Sequence, residues 1–203
     1  SGGSDDASDA PGDDDAGVDG DDTDGDGTGE AGAGSKEGGG DAAALEPMNG
    51  QISVLSSDTV LDYTISLPAG FDVSEFSSDI NQTWTDPDAE FGERDTRVSI
   101  IATPVATDAS GLVESFQEIN GTITVLDQAD EDAFSWFTYA TPSVSDVDSI
   151  AFGSAQSART IAGDISLQCT AGTQHSIDEE WSDADAATVA DQMLAICRSL
   201  AAG

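Results

Sequence analysis

The stretch Leu61-Asp62-Tyr63-Thr64-Ile65-Ser66-Leu67, followed by Pro68-Ala69-Gly70, decides the fold class. A large apolar residue at every second position puts Leu61, Tyr63, Ile65 and Leu67 on one side of a pleated strand and polar residues on the other. Pro68 cannot donate to a sheet ladder and Gly70 favours a turn, so the strand stops there. Working outward, the same period recurs upstream in Ile52, Val54 and Ser56. Downstream it recurs in Ile80 to Thr85, Val98 to Val105, Thr122 to Leu126 and Phe134 to Tyr139. A run from Ile150 to Ile161 and a last one from Ile165 to Cys169 come next, joined at Gly163-Asp164 by a hairpin turn. These runs predict an antiparallel, meandering sheet of roughly six to eight strands.

Two segments change to the helical period. From Ser182, with Asp185 three residues on as an N-cap arrangement, Val189, Met193, Ile196, Cys197 and Leu200 make one apolar stripe. Asp183, Asp185 and Asp191 lie outside it, and Arg198 at the end complements the helix dipole. The second helix is expected over Ser110 to Ile119, with Leu112, Val113, Phe116 and Ile119 on one side. Strands with helices on one face make an α+β sandwich.

Charge and composition divide the chain. Its 203 residues hold 41 Asp+Glu, 5 Lys+Arg and one His, a formal net charge of -36. Nucleic acid and anionic membrane surfaces repel such a polyanion, so neither is an expected partner. No stretch reaches the roughly eighteen apolar residues of a membrane span, and no signal-peptide pattern stands at the start. Residues 1–49 carry 13 Gly and 15 Asp+Glu with only Val18, Leu45 and Met48 as large apolar residues, and all twelve aromatics lie at or beyond Tyr63. So little apolar area does not offset about 1–2 kcal/mol of backbone entropy per residue, which predicts a disordered acidic tail over 1–49 and one folded domain over 50–203. A flexible coil of that length reaches about 40 Å, so it reads as a stalk. The opening Ser1-Gly2-Gly3-Ser4-Asp5-Asp6 is similar to the segment just after the lipidated cysteine of a bacterial lipoprotein, a cysteine this chain lacks. Membrane attachment is therefore expected only through such an anchor. The alternative is a solubilising extension.

Within the tail, Asp22-Thr23-Asp24-Gly25-Asp26-Gly27 copies the first half of a calcium loop, but Ala33 stands where the bidentate Glu belongs, so no metal site is expected. The folded part has four Arg, no Lys and 26 acids, a composition of both high-salt and high-GC organisms. Cys169 and Cys197 are the only cysteines. In an exported chain an even count favours a disulfide joining the last strand to the terminal helix. In a cytosolic one they would be two buried thiols, and both readings stand at this point.

Ile65-Ser66-Leu67-Pro68-Ala69-Gly70-Phe71, then a strand with Trp84, a strand from Arg97 to Val105, a helix, paired strands, and Leu167-Gln168-Cys169 before a helix carrying Cys197, resembles PsbP-like domains, in particular the actinobacterial LpqN-type lipoproteins. The resemblance covers Ile52 to Leu200. It implies a binding or assembly module, mostly without enzymatic activity. With the tail read as a lipoprotein stalk, the chain is expected at the extracellular face of the cell envelope, as a monomer without cofactor whose partner is an unknown protein or small ligand.

The candidate ligand-binding residues are Trp84, Arg94 and Arg97, which with Phe91 set half the domain's positive charge beside aromatics, a combination suited to stacking a sugar or peptide and gripping an acidic group. The competing reading makes Trp84 core and pairs both arginines with nearby acids. Along one strand Trp136 is expected on the exposed face, with Phe137 and Tyr139 in the core. Trp181 suits a hydrophobic staple. For catalysis the residues are scarce: His175 falls in a polar loop, and Asp86, Asp88, Glu90, Glu93 and Asp95 crowd one loop as acids do throughout this chain. A lipid- or glycan-handling lipoprotein with an internal cavity is the second reading and a carboxylate hydrolase the third. The triplets at Asn81 and Asn120 match glycosylation acceptors and are given no role.

Overall fold

The computed structural model describes residues 44–86, 95–141, 149–176 and 183–203. In chain order the elements are β1 Leu45–Ser53, β2 Val60–Pro68, β3 Asp72–Val73, β4 Asn81–Thr85, β5 Asp95–Thr103, α1 Ala109–Asn120, β6 Thr124–Glu131, β7 Phe134–Ala140, β8 Ser149–Ala162, β9 Ile165–Ser176, α2 Asp183–Arg198 and β10 Ala201–Ala202. The class is α+β: two helices on antiparallel sheets.

The strands form two sheets in place of the single meander expected. One has the order β1-β2-β10 and the other β3-β4-β5-β9-β8-β7-β6. β1 and β2 pair with each other and not with the large sheet, and their sheet is completed by β10, a two-residue strand at the far end of the chain that pairs Ala201 with Thr64 and Ala202 with Tyr63. A pair that short has no period to detect. β1 begins at Leu45, inside the segment read as tail, because Leu45 to Asn49 pair through backbone bonds with Thr64 to Pro68. Ladder bonds need no apolar side chain, so a composition argument misses them.

The main core lies between the sheets and under α2. Ile52, Tyr63, Ile65 and Leu67 from the small sheet meet Trp84, Val98, Ile100 and Leu167 from the large one. Met193, Leu194, Ile196 and Cys197 of α2, with Leu200 just beyond its end, complete it, so the expected stripe is the buried one. Gly153 on β8 permits the close approach of this helix: a Cβ there would stand 2.7 Å from Val189 Cβ and 2.8 Å from Ala186 O and Ala190 N. The β8–β9 turn has Gly163 at φ +60°, a left-handed conformation natural to glycine.

A second, smaller cluster lies on the other face of the large sheet, where Leu112, Val113 and Phe116 of α1 meet Phe137, Tyr139 and Ala158. Asp108 caps α1 by accepting from Gly111 N at 2.8 Å, and Asp130 of β6 accepts from Ala109 N at 2.8 Å, tying the helix start to the sheet. Three expectations fail. Ile119 is 82% exposed because α1 runs past the edge of its cluster. Trp136 is buried, since β7 is covered by α2 on one face and α1 on the other. His175 lies on β9, in register with Ile150, and not in a loop.

Candidate functional site

Strand alternation decides where the sequence-predicted residues stand. Trp84 pairs with Val98 and points into the core, 3% exposed, its ring edge-on to Tyr63 at a centroid distance of 6.1 Å. Its indole Nε1 has no hydrogen-bond partner among the described residues. Arg97 pairs with Thr85 and Gly172, one step out of phase with Trp84, and is exposed. The sheet therefore separates Trp84 from Arg97, one on each face. Arg94, Phe91 and Trp181 lie outside the described residues, as do Asp88, Glu90, Glu93, the calcium-loop-like stretch and the tail before Ala44.

The face that carries Arg97 is the distinctive one. On β5, Val98, Ile100 and Ala102 are fully buried on the core side, while Ser99, Ile101 and Thr103 are half-buried on the other. On β9, Leu167, Cys169 and Ala171 are fully buried, while Gln168 and Thr170 are half-buried. Register brings the outer sets side by side: Thr83, Ser99 and Thr170 make one row, and Ile101 and Gln168 the next. α1 packs on β6, β7 and β8 on this side. It forms a wall along the face and leaves β4, β5 and β9 uncovered by any described helix or strand.

Cross-strand bonds fix the polar groups. Thr83 and Ser99 hydroxyls meet at 2.9 Å, Thr103 and Ser166 hydroxyls at 3.1 Å, and Gln168 Nε2 donates to Thr103 Oγ1 at 3.2 Å. At this parity no position from Asn81 to Thr85, Arg97 to Thr103, Ser154 to Thr160 or Ser166 to Gly172 is Asp or Glu. The run is bounded in sequence by Asp95. In a folded part with 26 acids, central rows without a carboxylate stand out, with Asp72 of β3 beside Thr85 at the margin. The signal was present in the sequence, in Arg97-x-Ser99-x-Ile101-x-Thr103 and Ser166-x-Gln168-x-Thr170-x-Gly172. Only the register shows that these two runs are neighbours.

Sequence reasoning also missed a clasp at the end of α2. Arg198 donates through Nη1 to Glu131 Oε2 at 2.7 Å and through Nη2 to Oε1 at 2.8 Å, a bidentate pair. Trp136 Nε1 donates to the same carboxylate at 2.9 Å. The Arg198 guanidinium lies 5.1 Å from the Trp136 ring and 5.5 Å from Phe134, with Arg159 on Phe134 at 4.7 Å. Arg159 donates to the Arg198 carbonyl at 3.2 Å, satisfying the helix C-terminus. The hydrogen bonds from Arg198 and then Trp136 hold the Glu131 carboxyl down at about 2.

The neighbouring residues pin the same point. Cys197 is joined to Cys169 of β9, Cα to Cα 5.5 Å, both sulfurs buried. Ser66 N of β2 donates to Ser199 Oγ at 2.8 Å. Three consecutive residues thus bind α2 to the β6–β7 hairpin, the centre of the large sheet and the small sheet. Tyr63 and Tyr139 are buried phenols, each pushed up to about 12 by that burial, so both stay neutral. Among the described residues no three His, Cys, Asp or Glu gather as a metal site, and no helix is long and apolar enough to cross a membrane.

No family model and no curated protein sequence matches the chain. Among solved structures it is similar to LpqN, involved in cell envelope biogenesis of Mycobacterium tuberculosis, with 10% identity and a TM-score of 0.45 over 78% of this chain and 91% of that one. It is similar also to the lipid transfer and protein localization domain of human StarD13 (DLC2), with 9% identity and a TM-score of 0.29 over 64% of this chain and 88% of that one.

Proposed function

We propose that this chain is a non-enzymatic binding module of PsbP-like type, exported and held at the outer face of the cell envelope by a lipid anchor ahead of its acidic stalk. The observation that carries the reading is the face of β4, β5 and β9 whose rows from Arg97 to Thr103 hold no carboxylate, on a scaffold cross-linked at Cys169–Cys197. Binding surfaces work best on rigid elements, and here central strands present the groups. The disulfide fits an oxidising compartment. Of the two described members of the sequence-predicted trio, Arg97 at the margin of the face serves this reading and the buried Trp84 does not.

Fractionation of the native host and native mass spectrometry of the recovered protein test it. The protein is expected in the envelope fraction, carrying a non-covalent mass that a Thr170→Glu variant loses. Recovery from the cytosol, or a bare polypeptide mass, defeats the proposal.

A further inference from the structure

We propose that the open face of β4, β5 and β9 binds an uncharged glycan chain. This rests on the face being the binding surface and adds the chemical class of its ligand. Charge supplies the first argument. A domain with 26 acids repels anionic partners, and a cationic partner would settle on carboxylates anywhere on it. Central rows free of carboxylates, with Asp72 and Asp95 only at the margin, gain nothing for either and suit a neutral ligand.

The second argument is chemical. Ser99, Thr170 and Gln168, half-buried on this face, offer hydroxyls and a carboxamide, groups that both donate and accept, which is what a chain of sugar hydroxyls requires, while Thr83 is buried behind them and braces Ser99. Ile101 is the sole large apolar residue in the two central rows. Protein interfaces centre instead on apolar and aromatic residues, so a protein partner or a second copy of this chain fits less well.

The third argument is geometric. Strands about 4.8 Å apart carry these groups in rows, and the Thr83–Ser99 and Thr103–Ser166 bonds settle the rotamers beforehand. Groups already fixed lose less entropy on binding. α1, packed on β6, β7 and β8, flanks these rows and gives an extended chain a direction to follow.

The test is affinity electrophoresis of the full 203-residue chain in native gels containing dextran, mannan or a soluble β-glucan, with hyaluronan as the anionic comparison. At least one neutral polysaccharide is expected to retard the protein, and hyaluronan is not. Thr170→Glu and Gln168→Ala should each weaken retardation about tenfold or more, since one strands a charge against a neutral ligand and the other deletes a bond. Thr188→Glu, exposed on α2, should leave retardation intact. Melting temperatures of all three variants identify any loss due to unfolding, and Gln168→Ala decides if Thr170→Glu fails to fold. No retardation by any neutral polysaccharide, or full retardation of folded Thr170→Glu, overturns the glycan. If sedimentation instead shows self-association that Thr170→Glu abolishes, the face holds a second copy and the glycan is likewise overturned. If the mass recovered from the host is lost in Thr170→Glu while no neutral polysaccharide binds, the ligand class falls and the binding face stands.

Discussion

The two faces of the large sheet are made by the same strands and differ in every respect that matters. Val98, Ile100 and Ala102 on one side of β5 are fully buried against β1, β2 and α2, while Ser99, Ile101 and Thr103 on the other are half-buried under no described element. The inner face is held by volume and shape, where a missing methyl leaves a cavity. The outer face is held by cross-strand hydrogen bonds, in which the buried hydroxyls of Thr83 and Ser166 meet the half-buried ones of Ser99 and Thr103. One face therefore carries stability, and the other is free to carry binding.

The largest effect should come from breaking that contrast at adjacent positions. Ile100→Ala opens a cavity in the core and is expected to cost about 4 kcal/mol in urea unfolding, whereas Ile101→Ala on the outer face should cost about 1 kcal/mol. Equal losses would mean that both faces are packed. Next is the cross-link. Replacing both Cys169 and Cys197 with Ala removes a closure over 28 residues, worth about 3.5 kcal/mol on the chain-entropy model, and should lower the melting temperature by roughly 10 °C. Reduction should do the same, and an unchanged temperature would remove the clamp from the account.

The smallest effect sharpens the picture at the clasp. The Glu131 carboxyl is held at about 2 against an ordinary value of 4.5, chiefly by Arg198 and then Trp136. A depressed carboxyl contributes stability that is fully present above its unfolded value and lost as pH falls through its folded one. Glu131→Gln is therefore expected to lower the melting temperature slightly at pH 7 and to differ less from the parent as pH drops from about 4.5 to about 2. A difference that does not change over that window would show that the ion pair contributes nothing. This exposed pair is expected to matter less than the disulfide beside it.

Much of the fold was legible because its strands alternate. Leu61 to Leu67 and Phe134 to Tyr139 fall within observed strands, the Gly163-Asp164 turn joins β8 to β9, and both helices form, the second ending at Arg198 and short of the expected Leu200. Where reading failed, the cause was a partner distant in sequence. Trp136 looked outward by alternation, yet α2 covers that face. Ile119 looked inward by periodicity, yet nothing described meets the end of α1. Leu45 to Asn49 looked like tail, yet β2 takes up their backbone groups. The candidate site was half legible: Arg97 lies at the margin of the open face, but Trp84 faces the other way because paired positions one residue apart point to opposite sides.

By itself the sequence determined the α+β class, the acidic character of the surface, the two helices and the presence of two cysteines able to pair, since each comes from local period, charge or count. Tertiary structure alone decided that Cys169 and Cys197 meet, that Ala201 and Ala202 complete a second sheet, that Arg198 finds Glu131, and that Ser99 and Thr170 become neighbours. Such pairings join residues far apart along the chain, and their closure is governed by register and packing, which no single segment encodes.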